Sequence, residues 1–183
     1  PGMMWEAFRD RVEERGGEVR MNSKAARILR EDNRVVAIEV DRDEKDGGSY
    51  RLEADEFISS MPISELILNM DPPAPAEVQD AARKLRYRDF LIVTLILKGS
   101  DLFPDNWIYV HSPDVEVGRI QNFRSWSEEM IPEPNRSSIG MEYFCNACDT
   151  MWNTDNETLI KRAAKELEHL GLAEASDVVD GTV

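Results

Sequence analysis

Residues 25–41, with the sequence AARILREDNRVVAIEVD, decide the fold class of this chain. Two segments rich in β-branched and aliphatic residues flank Asp32 and Asn33, which are residue types that favour tight turns. A connection this short joins antiparallel strands, because parallel strands need a crossover of roughly a dozen or more residues. The stretch therefore predicts a β-hairpin within an antiparallel sheet.

The hairpin is part of a longer pattern of strands and helices. Segments 18–21 and 50–60 predict two more strands of one meander, the second after the turn sequence EKDGGS at 44–49. Helices are predicted at 3–15, 63–70, 76–85 and from Thr154 to Gly171, and further strands at 90–99, 106–112, 117–123 and 137–145. Because the helices do not alternate regularly with strands, we expect an α+β fold with a mixed, mainly antiparallel sheet and packed helices.

Three of these segments carry sharper predictions. The first helix places Met4, Trp5, Phe8 and Val12 on one apolar face. The nearly unbroken apolar run 90–99 predicts a strand covered on both faces. In the last helix, Thr154 and Glu157 form a predicted capping box.

Composition excludes several classes of function. The formal net charge is −14, and no basic run exists to neutralise phosphates, so we expect no nucleic-acid partner. No apolar run reaches the roughly 18 residues of a membrane span, and no signal-peptide pattern opens the chain. We therefore expect a soluble, cytoplasmic protein. Since the sequence starts at the threshold of a helix and ends within a strand pattern, we also expect it to be a piece of a longer protein.

No catalytic or metal motif can be named from spacing alone. The sequence has no G-x-G-x-x-G, P-loop or G-x-S-x-G motif. Cys145 and Cys148 form a single C-x-x-C, while His111 and His169 are unclustered, so no metal site is predicted. The pair follows a strand pattern, whereas a thiol-redox motif opens a helix, which favours a structural role over a redox one.

A strand-to-helix junction is the first candidate for a binding site. In residues 55–75, DEFISSMPISELILNMDPPAP, a predicted strand runs into Ser59 and Ser60, and a helix starts at Pro62. Such junctions often hold a ligand. Backbone groups can make these contacts with almost any side chain present, so the site would leave only a faint trace in the sequence.

Three stretches together resemble the flavin-containing amine oxidoreductase family, which includes monoamine oxidases, protoporphyrinogen oxidases and, more distantly, UDP-galactopyranose mutases. They are PGMMWEAFRDRVEERGGEVRMNSKAARI, then VVAIEVD followed by ADEFISSMP, and finally LRYRDFLIVTLIL. They occur in the order and at the spacing of the family's segments around FAD and at the entry to its substrate domain.

The resemblance implies that the two parts of the chain have different roles. Residues 1–62 would be a flavin-domain remnant with the β-meander, and residues 63–183 a substrate-binding domain. Ala25 and the junction residues Ser60, Met61 and Pro62 would contact FAD. The chain has no dinucleotide fingerprint, so we expect it to lack FAD and activity by itself and to require the remainder of the flavin domain.

The resemblance also places substrate contacts on the strands of the second domain. The candidates are Trp107, Tyr109, Arg119, Asn122 and Tyr143. Arg119 lies within a strand pattern and needs either an acidic partner, such as Glu142, or an anionic ligand. Residues two apart on a strand share a face, so Trp107 with Tyr109 and Arg119 with Gln121 could line one cavity.

The leading expectation is an FAD-dependent oxidoreductase that oxidises a small-molecule substrate by hydride transfer to flavin. One alternative is a UDP-galactopyranose mutase-like enzyme, because VGRIQNFRSW is faintly similar to that family's arginine-bearing strand. That alternative is weakened where GMEY has Met141 in place of a second arginine. A further alternative is a non-catalytic interaction module that retains the fold.

Overall fold

The computed structural model describes residues 2–43 and 47–183. The chain divides into two compact units, Pro1–Arg86 and Tyr87–Val183. Both contain helices and a β-sheet, so the predicted α+β fold with mixed and antiparallel pairing is confirmed. The family resemblance predicts a flavin-domain remnant at residues 1–62 and a substrate-binding domain at residues 63–183. That division is by function, and it stays a prediction.

The first unit is built on the predicted hairpin. Its strands are β1 (Lys24–Glu31), β2 (Arg34–Asp41), β3 (Tyr50–Glu53) and β4 (Met70–Asp71), in the spatial order β3-β2-β1-β4. Strands β1 and β2 pair antiparallel up to Glu31 opposite Arg34, and Asp32 in the turn has a φ of 52°. Aspartate tolerates this left-handed conformation better than most residues, which explains the turn.

Several predicted elements of this unit differ from the structure. Residues 18–21 form no strand, and the strand predicted at 50–60 ends at Glu53. Two short helices follow, α2 (Ile63–Leu68) after Pro62 and α3 (Ala76–Lys84) after Pro75. Strand β4 pairs parallel with β1. The predicted turn at 44–49 lies partly outside the described residues.

The first helix, α1 (Gly2–Glu14), forms where predicted but does not bury its apolar face. Met4, Trp5, Phe8 and Val12 have exposed fractions between 42% and 67%. The helical period is therefore correct, and this apolar face is exposed among the described residues of the chain.

The second unit is a five-stranded antiparallel sheet with helices. Its strands are β5 (Asp89–Lys98), β6 (Trp107–Tyr109), β7 (Arg119–Asn122), β8 (Arg136–Cys145) and β9 (Val178–Thr182), in the order β6-β7-β8-β5-β9. The helices are α4 (Phe123–Trp126) and α5 (Asn156–His169). Every neighbouring pair of strands runs antiparallel, in agreement with the expected mainly antiparallel sheet.

One face of this sheet packs against α5 and forms the core. Val93, Leu95 and Leu97 of β5 are fully buried, and Leu159 and Leu167 of α5 pack in the same cluster. The intervening β5 residues, such as Ile92 and Ile96, are only partly buried. Strand β5 is therefore fully covered on one face, not on both as its apolar run predicted. The opposite face is called the open face below.

Helix α5 begins one residue later than the predicted capping box. The Asp155 carboxylate accepts a hydrogen bond from the Thr158 backbone N–H at 2.9 Å, so Asp155 is the N-cap. Thr154 instead donates its hydroxyl to the Thr150 carbonyl. The helix ends as predicted, with Gly171 at a φ of 69°.

The predicted C-x-x-C pair lies at the end of β8 and just beyond it. Cys145 is buried and Cys148 exposed, both are free thiols, and burial raises the pKa of the Cys145 thiol, which disfavours its reactive thiolate. Among the described residues, no cluster of His, Cys, Asp and Glu could hold a metal ion. Within the same residues, no helix has both the length and the apolar character to cross a membrane.

Candidate functional site

Polar and aromatic side chains meet on the open face at strands β6, β7 and β8. The strand register pairs Tyr109 with Arg119, and Arg119 with Glu142. Residues directly opposite each other in neighbouring strands share a face, as do residues two apart in one strand. Trp107, Tyr109, Arg119, Gln121 and Glu142 therefore form one group, called the open-face cluster.

At its base, the cluster contains a carboxylate that is almost completely buried. The Glu142 side chain is 1% exposed, whereas that of Arg119 is 27% exposed. Arg119 Nε donates a hydrogen bond of 2.8 Å to Glu142 Oε2, and the Gln121 side-chain amide donates to Glu142 Oε1. Glu142 is therefore the acidic partner that the position of Arg119 required.

Aromatic rings surround the guanidinium of Arg119. Its Cζ lies 5.7 Å from the ring centroid of Trp107 and 5.8 Å from that of Tyr109, within the range of cation–π attraction. The hydrogen bond to Glu142, followed by that to Tyr109, raises the pKa of Arg119 above its ordinary value. The arginine is thus a permanent, fixed positive charge.

Helix α4 adds a third ring beside the cluster. The Trp126 centroid is 5.4 Å from that of Trp107, and the Trp126 indole N–H donates to the Asn106 carbonyl at 3.2 Å. Phe123 of the same helix packs on Gly140, where a Cβ would lie 2.9 Å from Phe123 Cζ. Trp107 and Trp126 are each 45% exposed and Tyr109 is 55% exposed. This half-exposed aromatic wall can contact a flat organic molecule.

The structure places two predicted substrate contacts on the other face of the sheet. Asn122 is buried, donates to the Phe103 carbonyl at 2.8 Å and accepts from the Ser125 N–H, so it caps α4. Tyr143 is 1% exposed and donates its hydroxyl to Glu166 of α5 at 2.9 Å. Burial, followed by the Glu166 carboxylate, raises the pKa of Tyr143 well above its usual value. Neither side chain joins the open-face cluster.

The first unit contains a separate cavity of about 430 Å³. Three of the four predicted cofactor contacts, Ala25, Ser60 and Met61, lie together in its wall. Pro62 is the next residue along the chain and precedes α2. The cavity is also lined by Ile28, Ile38 and Phe57, which were not part of the predicted site. Ile28 and Ile38 are paired across the predicted hairpin and therefore share a face, so the hairpin register was a signal for these two residues.

The cavity wall combines apolar side chains with irregular backbone. Strands β1 and β2 supply aliphatic side chains, while residues 57–61 belong to no strand or helix. Such a segment can present backbone N–H and C=O groups to a ligand. The cavity therefore offers a ligand both apolar contacts and backbone hydrogen-bonding groups.

Comparisons with known proteins agree with the α+β fold. The sequence profile described as "Flavin containing amine oxidoreductase" matches residues 2–183. The chain belongs to the flavin-containing amine oxidoreductase family, as its three sequence stretches predicted. No curated protein sequence matches the chain significantly.

Solved structures show the same fold at low sequence identity. A reduced UDP-galactopyranose mutase is 17% identical with a TM-score of 0.72, covering 99% of this chain and 38% of the mutase. A putative protoporphyrinogen oxidase from Exiguobacterium sp. 255-15 is 16% identical, with a TM-score of 0.58 and coverages of 97% and 37%. Wild-type putrescine oxidase bound to putrescine is 16% identical, with a TM-score of 0.61 and coverages of 93% and 36%. The chain thus spans less than two-fifths of each relative's length.

Proposed function

We propose that this chain is the substrate-binding part of an FAD-dependent oxidoreductase that oxidises a small organic molecule by hydride transfer to flavin. Membership of the flavin-containing amine oxidoreductase family supports the reaction class. The observation that carries the proposal is the open-face cluster, in which half-exposed Trp107 and Tyr109 surround a fixed Arg119–Glu142 pair. A rigid wall of this kind can hold a substrate in one orientation.

The residues around the cavity fit part of the cofactor. Ala25, Ser60 and Met61 would hold the adenine of FAD, with Pro62 fixing the backbone direction at the start of α2. The sequence has no glycine-rich turn for the pyrophosphate, so the remainder of a flavin domain would supply that contact. When bound, flavin supplies the hydride acceptor. This chain alone would therefore be inactive.

The chain's own side chains would position the substrate and exclude water. Trp107, Tyr109 and Trp126 present large rigid surfaces at low conformational-entropy cost. The buried Glu142 is held by Arg119 and Gln121, so it is not available as a mobile base. We assign this domain a role in binding and orientation, without a proton-transfer residue.

A mutase acting on a nucleotide sugar is the second candidate, and Arg119 on an accessible sheet face is the observation that favours it. A diphosphate is best bound by two close positive charges. Arg119 is already paired with Glu142, and Met141, the position before the Glu142–Tyr143 pair, is fully buried in the core. A non-catalytic interaction module is the third candidate, and it predicts no flavin-dependent activity at all.

Anaerobic flavin reduction by the complete gene product that contains these residues tests the proposal. We expect oxidisable substrates to bleach the flavin, and Trp107→Ala to weaken substrate binding while flavin content is unchanged. Titration with UDP separates the alternatives. Micromolar UDP binding that Arg119→Ala abolishes would favour the mutase, and a product without flavin would favour the interaction module.

A further inference from the structure

The two charged residues of the open-face cluster, Arg119 and Glu142, lie at different depths. Glu142 lies at the base with 1% of its side chain exposed, and Arg119 lies above it with 27% exposed. A ligand approaching this face therefore meets the positive charge first, although the whole chain carries a net charge of −14. The more exposed charge of the pair is thus opposite in sign to the net charge of the chain.

The guanidinium of Arg119 is also oriented by its partner. Its Nε and Nη2 atoms both face Glu142 Oε2. Because a guanidinium is planar with donors on more than one edge, the Nη1 group lies on the side away from that oxygen. Arg119 also hydrogen-bonds Tyr109, but its five N–H donors leave capacity for an acceptor on a ligand.

The neighbouring rings make a second cation unfavourable. Arg119 already occupies the cation–π position near both Trp107 and Tyr109. A protonated amine bound against the same rings would lie within a few ångströms of the guanidinium and be repelled by it. A flat molecule that carries one negative charge has favourable contacts with both the rings and the arginine.

We propose that the open-face cluster binds a flat, monoanionic organic molecule of the aromatic carboxylate class, with its carboxylate on Arg119 and its ring against Trp107 and Tyr109. This rests on the proposed function and narrows its substrate class, since it makes a protonated amine a poor ligand. The single arginine matches one carboxylate better than a diphosphate, which requires more positive charge.

Three probes that share one ring system test the charge preference. Indole-3-acetate is an anion, indole-3-acetamide is neutral and tryptamine is a cation. They are titrated into the purified chain while the indole N–H signals of Trp107 and Trp126 are followed by NMR, with Trp→Phe variants to assign them. We expect the acetate to bind at least about ten-fold more tightly than tryptamine, with the acetamide between them, and added salt to reduce the difference.

Variants of the pair separate this role from a structural one. Glu142→Gln keeps the shape but removes the buried negative charge, so we expect about three-fold or stronger enhancement of acetate binding. The double variant Arg119→Gln/Glu142→Gln leaves no orphaned charge, folds without a buried ion and should bind acetate and tryptamine alike. Arg83→Gln, at an exposed ion pair in the first unit, is the control and should change neither affinity.

Tryptamine binding as tight as that of acetate, or an anion preference that survives in the double variant, overturns the inference. These measurements need no flavin, so they are independent of the test of the proposed function. A complete gene product without flavin reduction, combined with an anion preference that depends on Arg119, would refute the oxidoreductase and support the binding site.

Discussion

Replacement of Glu166 by alanine should strongly destabilise the second unit, because this carboxylate joins three elements. It accepts hydrogen bonds from the Tyr143 hydroxyl at 2.9 Å, the Glu116 backbone N–H at 3.0 Å and the Val117 backbone N–H at 3.2 Å. Strand β8, helix α5 and the loop before β7 all meet at this one side chain.

The expected loss follows from the burial of each donor. Tyr143 and Val117 are almost fully buried, so each orphaned donor costs about 1–3 kcal/mol. Glu116 is exposed and its N–H can bind water instead, at a cost near zero. Alanine regains roughly 0.4 kcal/mol, because its helix propensity is higher than that of glutamate. The net destabilisation should therefore be about 3 kcal/mol.

Urea unfolding followed by tryptophan fluorescence measures this loss. With a slope of about 1–3 kcal/mol per molar urea, the midpoint should fall by about 1–3 M. Glu168→Ala on the same helix is the matched control, since its carboxylate accepts one exposed bond from the Ala175 N–H. We expect the control to lose less than about 1 kcal/mol. A Glu166→Ala midpoint equal to that of the control would refute the reasoning.

Three further predictions address the cap, the buried tyrosine and the cofactor. Asp155→Ala should lower the free energy of unfolding by about 1 kcal/mol, measured by thermal or urea unfolding, and Thr154→Ala should lower it clearly less. Equal losses for the two variants would contradict the assignment of the N-cap to Asp155. The folded-state pKa of Tyr143 is raised, so its stabilisation is complete below the unfolded-state pKa near 10 and declines above it. Wild type should lose about 1.4 kcal/mol more than Tyr143→Phe between about pH 9 and about pH 11 in a pH series of unfolding curves, and identical pH slopes would contradict this. After incubation with excess FAD and removal of free FAD by gel filtration, the purified 183-residue chain should be colourless, because it has no glycine-rich pyrophosphate loop, and stoichiometric flavin absorbance would show otherwise.

Local features of the fold could be predicted from the sequence. The hairpin turn at Asp32 and the stop at Gly171 depend on residues adjacent in the chain, and both occur as predicted. The cap was ambiguous, because Thr154 and Asp155 are neighbouring residues of equally suitable type. The strand predicted at 50–60 pairs with β2 only as far as Glu53 and then leaves the sheet, although β2 continues to Arg34, and propensity does not reveal this departure.

The candidate site depends more on register than on local sequence. Alternation predicted that Arg119 and Gln121 share a face, and Glu142, one of the two kinds of partner expected for Arg119, lies opposite it on the neighbouring strand. The sequence does not show which face of β8 the last helix covers. Tyr143 follows Glu142 directly, so it necessarily lies on the opposite face, against α5. Ala25, Ser60 and Met61 likewise line one cavity only because the fold of the first unit brings these distant parts of the sequence together.

The Arg119–Glu142 pair also has an evolutionary consequence. Loss of either charge leaves the other without its partner, and the buried carboxylate would be the more costly orphan. A single substitution at one position should therefore be selected against unless the other position changes too. In a future alignment of close homologues, we expect these two positions to covary as a unit, with paired replacement by neutral residues more frequent than retention of one charge alone.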